Sequence, residues 1–117
     1  MTNISDDYMK QMLAETKNFT VMTLRPGPNI NHPDVKQIFW EHGRRNFELR
    51  TEGLLPIVCL VTENADIAGF GIFNADVDSV KKRLDGDPAV IAGIFVYSVY
   101  PVKSFPGDSL PWLPLNV

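Results

Sequence analysis

The apolar positions of the chain open on a helical period. Tyr8, Met9, Met12 and Leu13 recur at helix spacing behind Ser5, Asp6 and Asp7, which supply a cap and an acidic first turn. A short amphipathic leading helix to about Thr16 is predicted. The period then changes to that of a strand, because Phe19 to Arg25 is β-branched, aromatic or apolar, and Pro26-Gly27-Pro28 closes the run. Pro33 and Asp34 suit the first turn of a second helix, which runs to about Glu52 and stops at Gly53. Leu54 to Thr62 and Ile67 to Asn74 read as strands two and three, joined by the turn-forming Glu63-Asn64-Ala65-Asp66 at hairpin length. Asp76 or Asp78 caps a helix through Leu84, Asp87-Pro88 starts one more helical turn, and Ile94 to Val102 is the fourth strand.

Strand, helix, strand, strand, helix, strand is the split arrangement of a ferredoxin-like βαββαβ domain. The expected class is α+β, a four-stranded antiparallel sheet with its helices on one face. Three segments follow: an amino-terminal helical extension over 1–18, the α+β domain over 19–102, and an extended carboxyl-terminal arm over 103–117. In that arm Phe105, Leu110, Trp112 and Leu113 give enough apolar surface to lie against a body. Strand two is apolar on both sides, with Leu54, Pro56, Val58 and Leu60 alternating with Leu55, Ile57, Cys59 and Val61. Strand four repeats this, Ile94 and Val96 lying opposite Phe95, Tyr97 and Val99. Helices cover only one face of such a sheet, so a second copy is expected to cover the other, making a homodimer.

Composition narrows the picture further. The 117 residues are 44% hydrophobic and 21% charged, enough for one core, and no low-complexity stretch interrupts them. A net charge of −3 with scattered Lys and Arg offers no footprint for a phosphate backbone, so nucleic acid is not an expected partner. The apolar runs are too short or too interrupted to span a bilayer, and the first residues lack a basic segment leading into an apolar one. A cytoplasmic protein that is not a membrane partner is expected. Cys59 is the single cysteine and sits within an apolar run, which reads as a buried thiol.

The candidate chemistry lies on the second helix. At 100° per residue, Val35, Ile38, Phe39 and Leu49 share a stripe that has His42 and Asn46 along its middle. Burying an unsatisfied polar group costs about 1–3 kcal/mol, so these two need partners, water or a cavity, and a pocket between helix and sheet would supply one. Two readings of His42 stand: a hydrogen-bonded core residue, or a group that moves a proton near neutral pH. His32 reads as a surface or capping residue, and neither histidine has carboxylates at metal-ligand spacing, so no metal and no other cofactor is expected. Asp87 reads as a helix cap. Gly69 and Gly71 read as sites of close packing or a bulge. Trp40 and Phe47 form an adjacent helix face open to the leading helix, the arm or a partner chain. Arg25 ends the first strand either as a solvated cation or at a pocket mouth, where it would meet an anionic ligand.

The segment from about Phe19 to Val102 resembles the YCII-related (YciI-like) domain family of the dimeric α+β barrel superfamily. The resemblance rests on Glu41-His42, on Leu49 to Leu55 ("LRTEGLL"), on Asp87 to Gly93 ("DPAVIAG") and on Ser104 to Pro111 in the tail. It implies a dimeric α+β barrel with a pocket in each subunit and a His-Asp pair as catalytic groups, matched here by His42 and Asp87. The chain departs from the family pattern at Gly43, where relatives often carry an apolar residue, and at Leu60-Val61, where many have Gly-Pro. The function expected from this likeness is proton transfer on a small cyclic or aromatic compound, an isomerisation or elimination, with Asn46, Arg25 and Phe39 as substrate-binding candidates. Two alternatives are a non-catalytic small-ligand-binding or interaction module and a cofactor-free, oxygenase-like activity.

Overall fold

The structure, a computed structural model, describes residues 2–64 and 66–112. Within them the elements run α1 (Asp6–Ala14), β1 (Lys17–Pro26), α2 (Val35–Thr51), β2 (Ile57–Leu60), β3 (Gly69–Phe73), α3 (Val77–Asp85), the one-turn α4 (Pro88–Ile91) and β4 (Phe95–Ser104). The strands form one antiparallel sheet in the order β2-β3-β1-β4. This is the ferredoxin-like α+β fold that the order of elements predicts. Caps lie where the sequence places them: Ser5 accepts from the Tyr8 N–H at 3.1 Å and Asp76 from the Ser79 N–H at 2.8 Å. That bond holds the Asp76 carboxyl below its ordinary range. His32 plays a comparable part, its Nδ1 accepting from the Asp34 N–H at 3.0 Å.

The core lies between the sheet and the helices. Thr20, Met22 and Leu24 of β1 are buried, facing the helices beside Phe73 of β3. Leu49 of α2, Val80 and Leu84 of α3 and Ala89 of α4 pack on them. Thr20 is reconciled with this setting by donating to the Ala75 carbonyl at 2.8 Å. Tyr97 of β4 donates its hydroxyl to Asp85 at 2.7 Å, and this bond to a carboxylate raises the phenol's pKa.

The second strand is shorter than its apolar run suggests. The Leu54 and Leu55 N–H groups both donate to the Leu49 carbonyl, at 3.0 and 3.2 Å, closing α2 beyond Gly53, whose φ of 79° is the left-handed stop expected there. Pro56 has no N–H, so the ladder begins only at Ile57. Leu55 therefore turns into the core, fully buried, instead of sharing a face with Ile57. Ile94 likewise precedes β4 and is buried rather than lying on the outer face with Val96.

Among the described residues no helix lies on the outer face. Phe19, Val21, Thr23 and Arg25 alternate onto it, opposite Ile72 and Phe70 of β3 and Val102, Tyr100, Ser98 and Val96 of β4. Phe70, Val96 and Tyr100 stand exposed there. Cys59 pairs with Phe70 on this side and is half-buried, so it is not the core thiol expected. β1 and β4 extend as far as the pair Lys17–Ser104, so α1 and the segment after β4 leave the sheet from the same end. α1 buries none of its residues. Leu110 is 72% and Trp112 97% exposed, so this part of the arm does not lie against its own body as expected, while Leu113 falls outside the described residues. Among the described residues no helix is long and apolar enough to cross a membrane.

Candidate active site

The middle of α2, the N-terminus of α4 and the start of β4 converge on His42. α4 is brought there by the turn between its end and β4, where the Ile94 and Gly93 carbonyls accept from the Gly27 and Asn29 N–H groups at 2.7 and 2.9 Å. Asp87 caps α4 with one oxygen, Oδ1 accepting from the Ala89 N–H at 2.8 Å. Its other oxygen, Oδ2, lies 2.7 Å from His42 Nδ1. A carboxylate can only accept, so Nδ1 carries the hydrogen, and in the neutral ring Nε2 then holds the lone pair. Asn46, one turn further along α2, lies with Nδ2 3.2 Å from that Nε2. An amide N–H donates to the neutral ring, and the same side chain rotated end for end presents its carbonyl to a protonated one.

Burial divides these groups by role. Asp87 is only 2% exposed, and its two oxygens are both bonded within the protein. The His42 side chain keeps 12% of its surface accessible. Phe95 packs edge-on to the imidazole with ring centroids 5.3 Å apart, and Phe39 stacks on Phe95 at 5.2 Å. The ring is thus packed against Phe95, tied through Nδ1 to Asp87 and through Nε2 to Asn46, and still partly accessible.

The imidazole lines a cavity of about 840 Å³ between α2 and the sheet. Met22 and Leu24 of β1, Val58 and Leu60 of β2 and Phe95 give it apolar walls. Gly69 and Gly71 keep the helix-facing side of β3 bare beneath it, for a Cβ at Gly71 would stand 2.9 Å from both the Ile57 carbonyl oxygen and Leu55 Cδ1. Close packing is therefore the reason for this glycine pair. Gly43 has open space where its Cβ would project. It lines both this cavity and a shallower groove of about 690 Å³ on the outer side of α2, beside Trp40 and Phe47. Trp40 and Phe47 are 69% and 63% exposed, so neither α1 nor the described part of the arm covers them.

Of the residues singled out in the sequence, His42, Asn46, Asp87 and Phe39 come together here. Arg25 does not. It is exposed, pairs with Val96 on the outer face and is absent from the cavity wall, because a strand sends alternate side chains to opposite faces. The cation that does line the cavity is Arg50. It lies eight residues after His42, about 80° further round the helix, a spacing that could have marked it. Among the described residues no cluster of three His, Cys, Asp or Glu side chains is arranged to hold a metal ion.

The chain matches no family model and no curated protein sequence. Among solved structures it is similar to the 5-chloro-2-hydroxyhydroquinone dehydrochlorinase TftG of Burkholderia phenoliruptrix AC1100, in complex with 2,5-dihydroxybenzoquinone. The TM-score is 0.54 and the identity 19%, over 70% of this chain and 90% of that one. At that identity the likeness is one of fold.

Proposed function

We propose that the chain is a small-molecule enzyme of the dimeric α+β barrel superfamily in which His42 transfers a proton and Asp87 orients it. The observation that carries this reading is the imidazole's position. It is tied through Nδ1 to a buried carboxylate, and its partly accessible ring lines an apolar cavity. Nε2 takes a proton from a carbon or hydroxyl acid in the cavity, and the Asp87 carboxylate stabilises the imidazolium that forms. The returning proton completes an isomerisation, or loss of a leaving group such as halide completes an elimination. Asn46 follows the change by exchanging its N–H for its carbonyl, and Phe39 walls the substrate beside Phe95. The dehydrochlorinase that shares the fold, with its small cyclic ligand, supports a compound of that class. The YCII-related pattern of His42 and Asp87 supports the same assignment.

The chain is further proposed to act as a homodimer through the outer sheet face, whose exposed apolar side chains would otherwise meet water. One observation favours a second reading, a non-catalytic binding site: Nε2 is already engaged by Asn46, as a purely structural histidine would be. The two separate on proton exchange. Small hydroxylated ring compounds, including 5-chloro-2-hydroxyhydroquinone, are incubated with the protein in deuterated water. Deuterium incorporation and chloride release are followed. His42→Gln is expected to lower the rate by about 100- to 10,000-fold while the fold is kept. Undiminished turnover in this variant, or saturable binding with no exchange in any compound, would sink the catalytic reading.

A further inference from the structure

His42, Asn46 and Arg50 stand at i, i+4 and i+8 on α2, and all three line the same cavity. The helix rise of 1.5 Å per residue separates the first and last by about 12 Å along the axis. One end of the cavity therefore holds the imidazole and the other a guanidinium. Arg50 is exposed at this end and takes no ion-pair or side-chain hydrogen-bond partner among the described residues. Among the described residues the cavity wall includes no Asp or Glu, and the rest of it is apolar apart from His42, Asn46 and Cys59. Its place in the last turn of α2 suits the helix dipole, but the dipole asks only for a cation near that end, on any face. A guanidinium is always charged and offers paired N–H donors in the geometry of a carboxylate.

We infer that Arg50 is the specificity residue of this cavity and that its ligand is a small ring compound bearing a carboxylate, the anion held by Arg50 and the apolar ring lying toward His42. The inference deepens the proposed function by naming a substrate class for the same site, and it rests on the cavity being that site. The ligand carries negative charge into a space with no acid to repel it. Its ring meets Phe39, Val58 and Leu60 on the way to the imidazole. The anion thereby sets which ring atom Nε2 reaches.

Matched probes test this without knowledge of the natural substrate. Binding of naphthalene-1-acetate and of its uncharged methyl ester is measured by calorimetry on the full chain. The acid is expected to bind about tenfold or more tightly than the ester, a preference that weakens as salt is raised. Arg50→Gln, an exposed substitution, is expected to bring the ratio near one, and Arg50→Lys to retain part of it. His42→Gln should leave the preference in place. Equal binding of acid and ester, no binding of the acid, or a preference that survives Arg50→Gln would overturn the inference. A preference lost in Arg50→Gln alongside proton exchange that survives His42→Gln would instead leave the inference standing and remove the catalytic reading.

Discussion

Asp87 serves two masters through its two oxygens, and the consequence can be read from substitutions that separate them. In Asp87→Ala the Ala89 N–H and His42 Nδ1 both lose their acceptor in a buried place, which should cost about 2–3 kcal/mol of stability in urea unfolding. Asn caps as well as Asp does, so Asp87→Asn should unfold within about 1 kcal/mol of the parent. Its carbonyl would keep the cap and its amide would then face Nδ1. The imidazole must answer by moving its hydrogen to Nε2, removing the lone pair from the cavity. Nitrogen-15 spectra of the histidine ring should show the tautomer reversed, with proton exchange reduced along with it. An unchanged tautomer in Asp87→Asn would show that the carboxylate does not set the ring's state.

Between elements, β2 and Leu55 close on β3 because Gly69 and Gly71 leave its helix-facing side without side chains. The bare strand lets the β2 backbone and the Leu55 side chain approach more closely than any side chain would permit. Gly71→Ala should therefore lower stability by roughly 1–3 kcal/mol, since the new methyl meets a backbone oxygen that the ladder holds in place. Thermal and urea unfolding measure this directly, and a neutral Gly71→Ala would mean that β2 can shift without cost. The one-turn α4 matters at the same scale. Its Asp87-Pro88 start is an ordinary cap, but its anchorage between β1 and β4 fixes where the second oxygen of Asp87 meets His42.

At the scale of the molecule the sheet is asymmetric. One face is covered by α2 and α3, and the other exposes Phe70, Val96 and Tyr100. α1 and the segment after β4 depart from the same end of the β1–β4 pair. The proposed homodimer predicts that the chain sediments as a dimer at micromolar concentration. Tyr100→Asp, which sets a charge on the outer face of the edge strand β4, should yield a folded monomer. A parent chain that is itself a stable monomer would refute the pairing and leave the apolar outer face without a cover.

The sequence by itself determined the elements, because their signals are local: helical and alternating periods, Ser5 and Asp76 as caps, Gly53 as a stop, and the proline-rich break after Arg25. Their order then limited the topology to a few arrangements. It also placed His42 and Asn46 on the inward stripe of α2, since that follows from helix geometry alone. Other features depended on the assembled sheet. Strand alternation put Arg25 and Met22 on opposite faces, but which face would receive the helices is not a property of either residue. Leu55 left its expected face because the end of α2 consumed its N–H and Pro56 had none to give. Arg50 belonged to the cavity through its turn of the helix, yet only the position of β2 made that side a cavity wall. The meeting of His42 with Asp87, 45 residues apart in the chain, was decided by tertiary structure: no local period couples a helix face to the cap of another helix. The likeness to a known family suggested the pair, and the packing of α4 against α2 brings them to 2.7 Å.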